Sequence, residues 1–211
     1  MSCRVVCISR ADGAGGDEVG HLVAERLGFQ YVDEEIIVRA AAKGGLAPGD
    51  VAEEERRKSV LIRLLQEMGR GAAIESYGLA GAAGLASEGP SPDVIRGLIS
   101  EAIEVTAGKG DVVIVAHAAS RALSGQPDVL RVLVTASPET RAHRFSEMQG
   151  VAPKEATKSI KEADAARADY LRRFYGVDAE LPTHYDLVVN TDVMSIEQAA
   201  AAVAQAASSP G

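Results

Sequence analysis

The stretch SRADGAGGDEVG, Ser9 to Gly20, joins an apolar run to a helical pattern, and its reading decides the fold. Upstream, RVVCIS (Arg4 to Ser9) is rich in β-branched residues and reads as a strand. Downstream, DEVGHLVAERLG (Asp17 to Gly28) repeats apolar residues at helical spacing and stops at a glycine. Strand, glycine-rich loop and helix in that order form the place where a nucleotide-binding protein holds phosphate. Glycines let successive N–H groups point into one concavity, and the following helix adds the positive end of its dipole. Gly13, Ala14, Gly15 and Gly16 meet that need. The pattern G-x-x-x-x-G-K-[ST] also supplies a lysine for the β- and γ-phosphates and a hydroxyl for magnesium. Aligned on Gly15, this chain has Gly16 at the lysine position, so both functions are missing. Asp17 and Glu18 follow, and carboxylates in a first turn commonly complement the helix dipole, which leaves an ordinary glycine turn as the competing reading. Arg10, just before the loop, is the candidate replacement charge.

Composition narrows the options around that loop. A chain of 211 residues with 46% apolar residues can bury one sizeable core, and its length suits a single α/β domain. A net charge of −8 argues against a nonspecific grip on nucleic acid, which needs a basic face to displace counterions. Cys3 and Cys7 lie four apart in the first strand pattern, so they are expected on one sheet face as small core residues. Nothing beside them completes a metal set, and no metal ligands are assigned. The N-terminus shows no signal-peptide pattern and no apolar run is long enough to span a membrane, so the expectation is a cytoplasmic protein.

Strands and helices alternate along the rest of the chain. FQYVD ends a second strand at Asp33, and EEIIVRAAAK opens another helix with two acids in its first turn. Residues 51–68 form an amphipathic helical pattern with Val60, Leu61, Leu64, Leu65 and Met68 on its apolar side. From Gly69 to Pro92 all periodicity is lost in a glycine and alanine bias, which reads as a loop or mobile connector. A helix (DVIRGLISEAIEVTA), a strand (DVVIVAH), a short helix and a strand (VLRVLVTA) follow. The next helix opens at SPETRAHRFSEM with Ser137 as N-cap and Pro138 as first residue, and a long helix runs from about Pro153 to Tyr175. A strand, YDLVVNT (Tyr185 to Thr191), and a helix capped by Ser195 close the chain. Five strands alternating with helices predict a parallel sheet covered on both faces, with RVVCIS as an interior strand.

The blocks ISRADGAGGDEVGHLVAERLGFQYVDEEII, DVVIVAHAASRAL, PDVLRVLVTASPETRAHRFSEMQG, DAARADYLRRFYG and YDLVVNTDVMSIEQA resemble, in order and spacing, the cytidylate kinase-like family. That family is a branch of the P-loop nucleoside monophosphate kinases in which the loop lysine is already absent. The resemblance implies an α/β P-loop kinase fold: a five-stranded parallel sheet flanked by helices, forming a core of residues 1–35 and 108–211. It also implies a helical substrate-binding insertion over 36–107 and a helical lid at about 150–176. The implied cofactors are ATP and Mg²⁺, and the implied partner is a nucleoside monophosphate or similar small phosphorylated acceptor.

Site residues carry over on the same basis. Ser9, Gly13, Ala14, Gly15, Gly16, Asp17 and Glu18 match the segment that holds the donor phosphates. Asp33 and Arg39 match an acid and a base of the monophosphate site, although a first-turn acid and a solvated arginine explain them equally. Arg141 and Arg144, three apart on one helix face, resemble an arginine pair at the edge of the donor site, with a solvated basic stripe as the alternative. Asp164 and Arg167 match the lid motif D-x-x-R, in which the arginine reaches the transferring phosphoryl group and the aspartate orients it. With Arg10 they form the expected catalytic group. Lys161, Tyr170, Arg172, Arg173 and Tyr175 surround them as a basic and aromatic cluster, with Arg173 assigned to the acceptor. Where the family carries Gly-Arg-Gly, this chain has Ala116, His117 and Ala118, so His117 either contacts substrate or is a local hydrogen-bond partner. His21, His143 and His184 show no ligand spacing, and Asn190 and Thr191 match a segment near the donor base but also suit a turn. A degenerate kinase that senses a nucleotide or phosphorylated ligand, or an interaction protein using residues 51–68, are the alternatives.

Overall fold

The computed structural model describes residues 3–33, 92–116 and 119–209. Strands β1 (Val5–Arg10), β2 (Gln30–Val32), β3 (Val112–Val115), β4 (Val129–Thr135) and β5 (Leu187–Asn190) form one parallel sheet in the order β2-β3-β1-β4-β5. β1 is central, as its continuous apolar run requires, because only a strand covered on both faces has no use for alternation.

The α-helices among the described residues are α1 (Gly16–Leu27), α2 (Pro92–Ala107), α3 (Ala119–Ala122), α4 (Pro138–Gln149), α5 (Pro153–Tyr175) and α6 (Ile196–Ser208). Val6 and Ile8 of β1 pack with Val19 and Val23 of α1 and with Ala199, Ala200 and Val203 of α6. Val5 and Cys7 pack on the opposite face with Ala102 and Ile103 of α2 and with Ala119 and Leu123. Each fully buried Val, Leu or Ile contributes about 1.5–3 kcal/mol, so these two layers hold the loop's flanking strand rigid.

Local signals are met closely. The Ser137 hydroxyl accepts from the Thr140 N–H at 3.3 Å, with Pro138 opening α4. Ser195 and Gln198 form a reciprocal capping box at α6. Three departures have physical causes. Cys3 lies before β1 and packs against the face that carries Val6 and Ile8, while Cys7 lies in the opposite layer. Sheet pairing begins only at Val5, and the Cys3 N–H is tied to the Ala207 carbonyl at 3.1 Å, so strand alternation does not reach back to it. β1 runs on to Arg10, placing the residue before the loop on the sheet. β5 starts at Leu187, because a 3-10 turn at Pro182–His184 takes Tyr185 out of the strand. Residues 34–91, including Arg39, the 51–68 helix, the glycine-rich connector and most of the expected insertion, lie outside the described residues, as do His117 and Ala118.

Candidate phosphate-binding site

β1 ends in Arg10, and the Ala14 N–H closes a turn onto the Ala11 carbonyl at 3.0 Å. Gly13 (φ +77°) and Gly15 (φ +80°) take left-handed conformations that other residues adopt at a cost. Gly15 is the N-cap of α1 and brings no side chain to cap it, so the first amides of α1 have no acceptor from within the helix. Such a helix start accommodates an anion.

The loop carbonyls are tied back on the opposite side. The Thr191 hydroxyl donates to the Ala14 carbonyl at 2.8 Å, and the Arg144 guanidinium approaches the same oxygen at 3.5 Å. Arg141 Nη1 donates to the Asp12 carbonyl at 3.4 Å. All peptides here are trans, so an N–H points opposite to the carbonyl of the preceding residue. Anchoring the Asp12 and Ala14 carbonyls therefore turns the Gly13 and Gly15 N–H groups away from Arg141 and Thr191, the side chains that hold those carbonyls. Packing demands glycine at position 13 as well, where a Cβ would collide with the Arg141 backbone, whereas a Cβ on Gly15 would meet the tip of the Ile196 side chain.

Arg10 spans the loop. Its Nε donates to Asp17 at 2.8 Å and its Nη1 to Asp12 at 3.1 Å. The aliphatic stem of Arg10 covers Gly16, where a Cβ would collide with it. The space that a lysine at position 16 would need thus belongs to Arg10. Tyr31 is pushed above its ordinary range by burial and then by the charges of Asp17 and Asp33, and Asp33 directly follows β2. Glu18 is exposed at the start of α1.

The long helix α5 supplies Asp164 and Arg167, but the two do not pair. Asp164 grips Arg141 through a fork of 2.8 and 2.7 Å, and Arg141 is buried, with 6% of its side chain exposed. The solvated-stripe alternative is thereby overturned, since Arg141 is buried and Arg144 bonds Thr191 through both Nη1 and Nη2. Arg167 turns instead to Glu180, with Nε–Oε2 of 3.0 Å and Nη2–Oε1 of 2.7 Å, and Tyr185 donates to the same carboxylate. Burial works to raise Glu180, yet the Arg167 hydrogen bonds and charge hold it below the usual carboxylate range. Burial and Glu180 push Tyr185 up to about 12.

The expected basic and aromatic cluster divides. Tyr170 is buried in a small core with Leu171, Val177 and Tyr175. Arg172 and Arg173 pair with Asp169, with about half or more of each arginine side chain exposed, and Lys161 is also exposed. A cavity of about 290 Å³ opens between α5 and the end of β4, lined by Ala11, Thr135, Arg141, Asp164, Arg167 and Glu180.

Among the described residues no group of three or more His, Cys, Asp or Glu is placed to hold a metal. Glu180, Tyr185 and the anchoring role of Thr191 escaped the sequence reading. Glu180 follows the end of α5 with no periodic relation to Arg167, and only the YDLVVNT block pointed near Thr191.

A model of the cytidylate kinase-like family matches residues 5–193. A cytidylate kinase from Ignicoccus hospitalis is 29% identical over 193 residues, covering 92% of each chain. An uncharacterized protein from Eubacterium ventriosum superposes with a TM-score of 0.65 at 17% identity, covering 98% of this chain and 99% of the other. Shikimate kinase from Bacteroides thetaiotaomicron superposes with a TM-score of 0.51 at 15% identity, covering 96% and 95%. The fold is that of the P-loop kinases, and with the family match spanning the sheet, the loop and α5, the chain belongs to the cytidylate kinase-like family.

Proposed function

We propose that this protein transfers the γ-phosphoryl group of ATP to a nucleoside monophosphate. The observation that carries the reading is the anchoring of the Asp12 and Ala14 carbonyls, which presents the Gly13 and Gly15 amides together at the uncapped start of α1. Phosphoryl transfer rests on positioning and charge neutralisation, and the loop amides would hold the β-phosphate. Arg10 fixes the loop from Asp12 to Asp17, and Arg167 would bring positive charge to the transferring group from the lid helix α5. Asp33, at the end of β2, would orient the acceptor. Magnesium, when bound with ATP, would neutralise phosphate charge. The relatives named cytidylate kinase make cytidine monophosphate the first acceptor to try.

A second reading, nucleotide sensing without turnover, is favoured by the pairing of Arg10 and of Arg167 with carboxylates. A thermal-shift series with ATP, with and without Mg²⁺, followed by an ADP-release assay with nucleoside monophosphates, separates the two. Magnesium-dependent ADP release that requires the acceptor supports transfer. A saturable shift without release supports sensing, and no shift contradicts both.

A further inference from the structure

We propose that Glu180 and Tyr185 are positioning residues for Arg167, fixing its guanidinium from the segment between α5 and β5. This rests on the transfer reading above. A long arginine side chain on a helix has many rotamers, whereas a carboxylate fork through Nε and Nη2 sets the plane of the guanidinium. Glu180 makes that fork, and only 9% of the Arg167 side chain is exposed. The carboxylate comes from the segment after α5, so the helix alone does not place it.

Tyr185 in turn fixes Glu180. An ionised carboxylate only accepts, so Tyr185 is the donor. The Tyr185 hydroxyl hydrogen thus ends on the charge of Glu180, and a bond to an ionised acceptor is the stronger kind. The bonds thereby tie a side chain of α5, through Glu180, to the turn that precedes β5.

Asp164, the residue that motif spacing nominates for this task, is held by Arg141. A desolvated ion pair is a poor way to gain stability, so its use here points to geometry.

The test is a double-mutant cycle on transfer from ATP to cytidine monophosphate, using the wild type, Glu180→Gln, Arg167→Ala and the double variant. Misplacing a group by about 1 Å costs up to about a hundredfold in rate, so Glu180→Gln is expected to lower kcat about tenfold with little change in the KM for ATP. Adding Glu180→Gln to Arg167→Ala is expected to lower kcat no further. Multiplying effects, a wild-type kcat in Glu180→Gln, or no effect of Arg167→Ala overturns the proposal. If Glu180→Gln does not fold, Tyr185→Phe takes its place: it keeps the ion pair, and it must lower kcat only while Arg167 is present. If the wild type binds ATP without turnover, the transfer reading fails, and the same cycle is read in ATP affinity by calorimetry. Non-additive losses then support the positioning role, and additive or absent losses overturn it. A wild type that neither transfers nor binds ATP refutes both.

Discussion

The Thr191 hydroxyl donates to the Ala14 carbonyl at 2.8 Å, across 177 residues of sequence, and so joins the end of β5 to the back of the loop. Thr191 is fully buried and also receives Arg144 Nη1 at 2.9 Å. Thr191→Val keeps the shape and removes the hydroxyl. It should cost about 1–3 kcal/mol, the price of leaving buried polar partners unmet. Urea unfolding reads the loss, and ATP affinity should fall with it because the Gly15 amide loses its orientation.

Gly16→Lys restores the residue that the common loop pattern carries, and it is expected to harm this protein. The Arg10 stem already fills the space, and overpacking of this kind costs about 1–3 kcal/mol. Arg10→Ala with Gly16→Lys should recover stability relative to Gly16→Lys alone. Melting temperatures of the singles and the double check this, and equal damage in the double would contradict it.

Asp164→Ala should lower stability by about 1.5–3 kcal/mol, the range for hydrogen bonds to charged groups, by leaving the buried Arg141 without its fork. The Arg141 side chain is 6% exposed and that of Asp164 43%, so Arg141→Ala strands a carboxylate that water can still reach. Chemical denaturation of both variants should therefore show different losses beyond those of packing, with Arg167 still on Glu180 in a crystal structure of Asp164→Ala.

Acid should weaken the fold through Glu180 and Asp186. Arg131 hydrogen bonds hold Asp186 below its ordinary value of 3.8, and Arg167 holds Glu180 below 4.5 against the effect of burial. A depressed carboxylate adds stability that is complete above its unfolded value and is lost as pH falls through its folded value. Melting temperature should accordingly be flat from neutrality down to about those ordinary values and then drop, and Glu180→Gln should make the drop shallower. An identical acid limb in Glu180→Gln would count against the pair.

What the sequence revealed was local. Ser137 before Pro138, Ser195 before Gln198, and the span Pro153 to Tyr175 were legible because caps and helical periodicity are written within a few residues. The interior place of β1 was legible from its unbroken apolar run. Partners distant in sequence were not: Arg141 and Arg144 read as an arginine pair at the edge of the donor site or as a solvated stripe, and neither reading named Asp164 and Thr191, which they reach on other elements. The D-x-x-R spacing suggested a pair within α5, whereas Asp164 reaches Arg141 on α4 and Arg167 reaches Glu180 beyond the end of α5. Cys3 was misplaced because strand alternation was extended past the first paired residue.

The central claim is that the Gly13 and Gly15 amides cradle phosphate. Substitution is a blunt test, because Gly15 has φ +80° and Ile196 occupies the space of a side chain there. Titration of ATP with Mg²⁺ into ¹⁵N-labelled wild-type protein, followed by ¹H–¹⁵N correlation spectra, reads these amides directly. Saturable shifts of the Gly13 and Gly15 N–H signals, larger than those of Gly28 at the far end of α1, are the predicted result. Saturating ATP that leaves both signals unmoved would contradict the phosphate loop, and with it the transfer function.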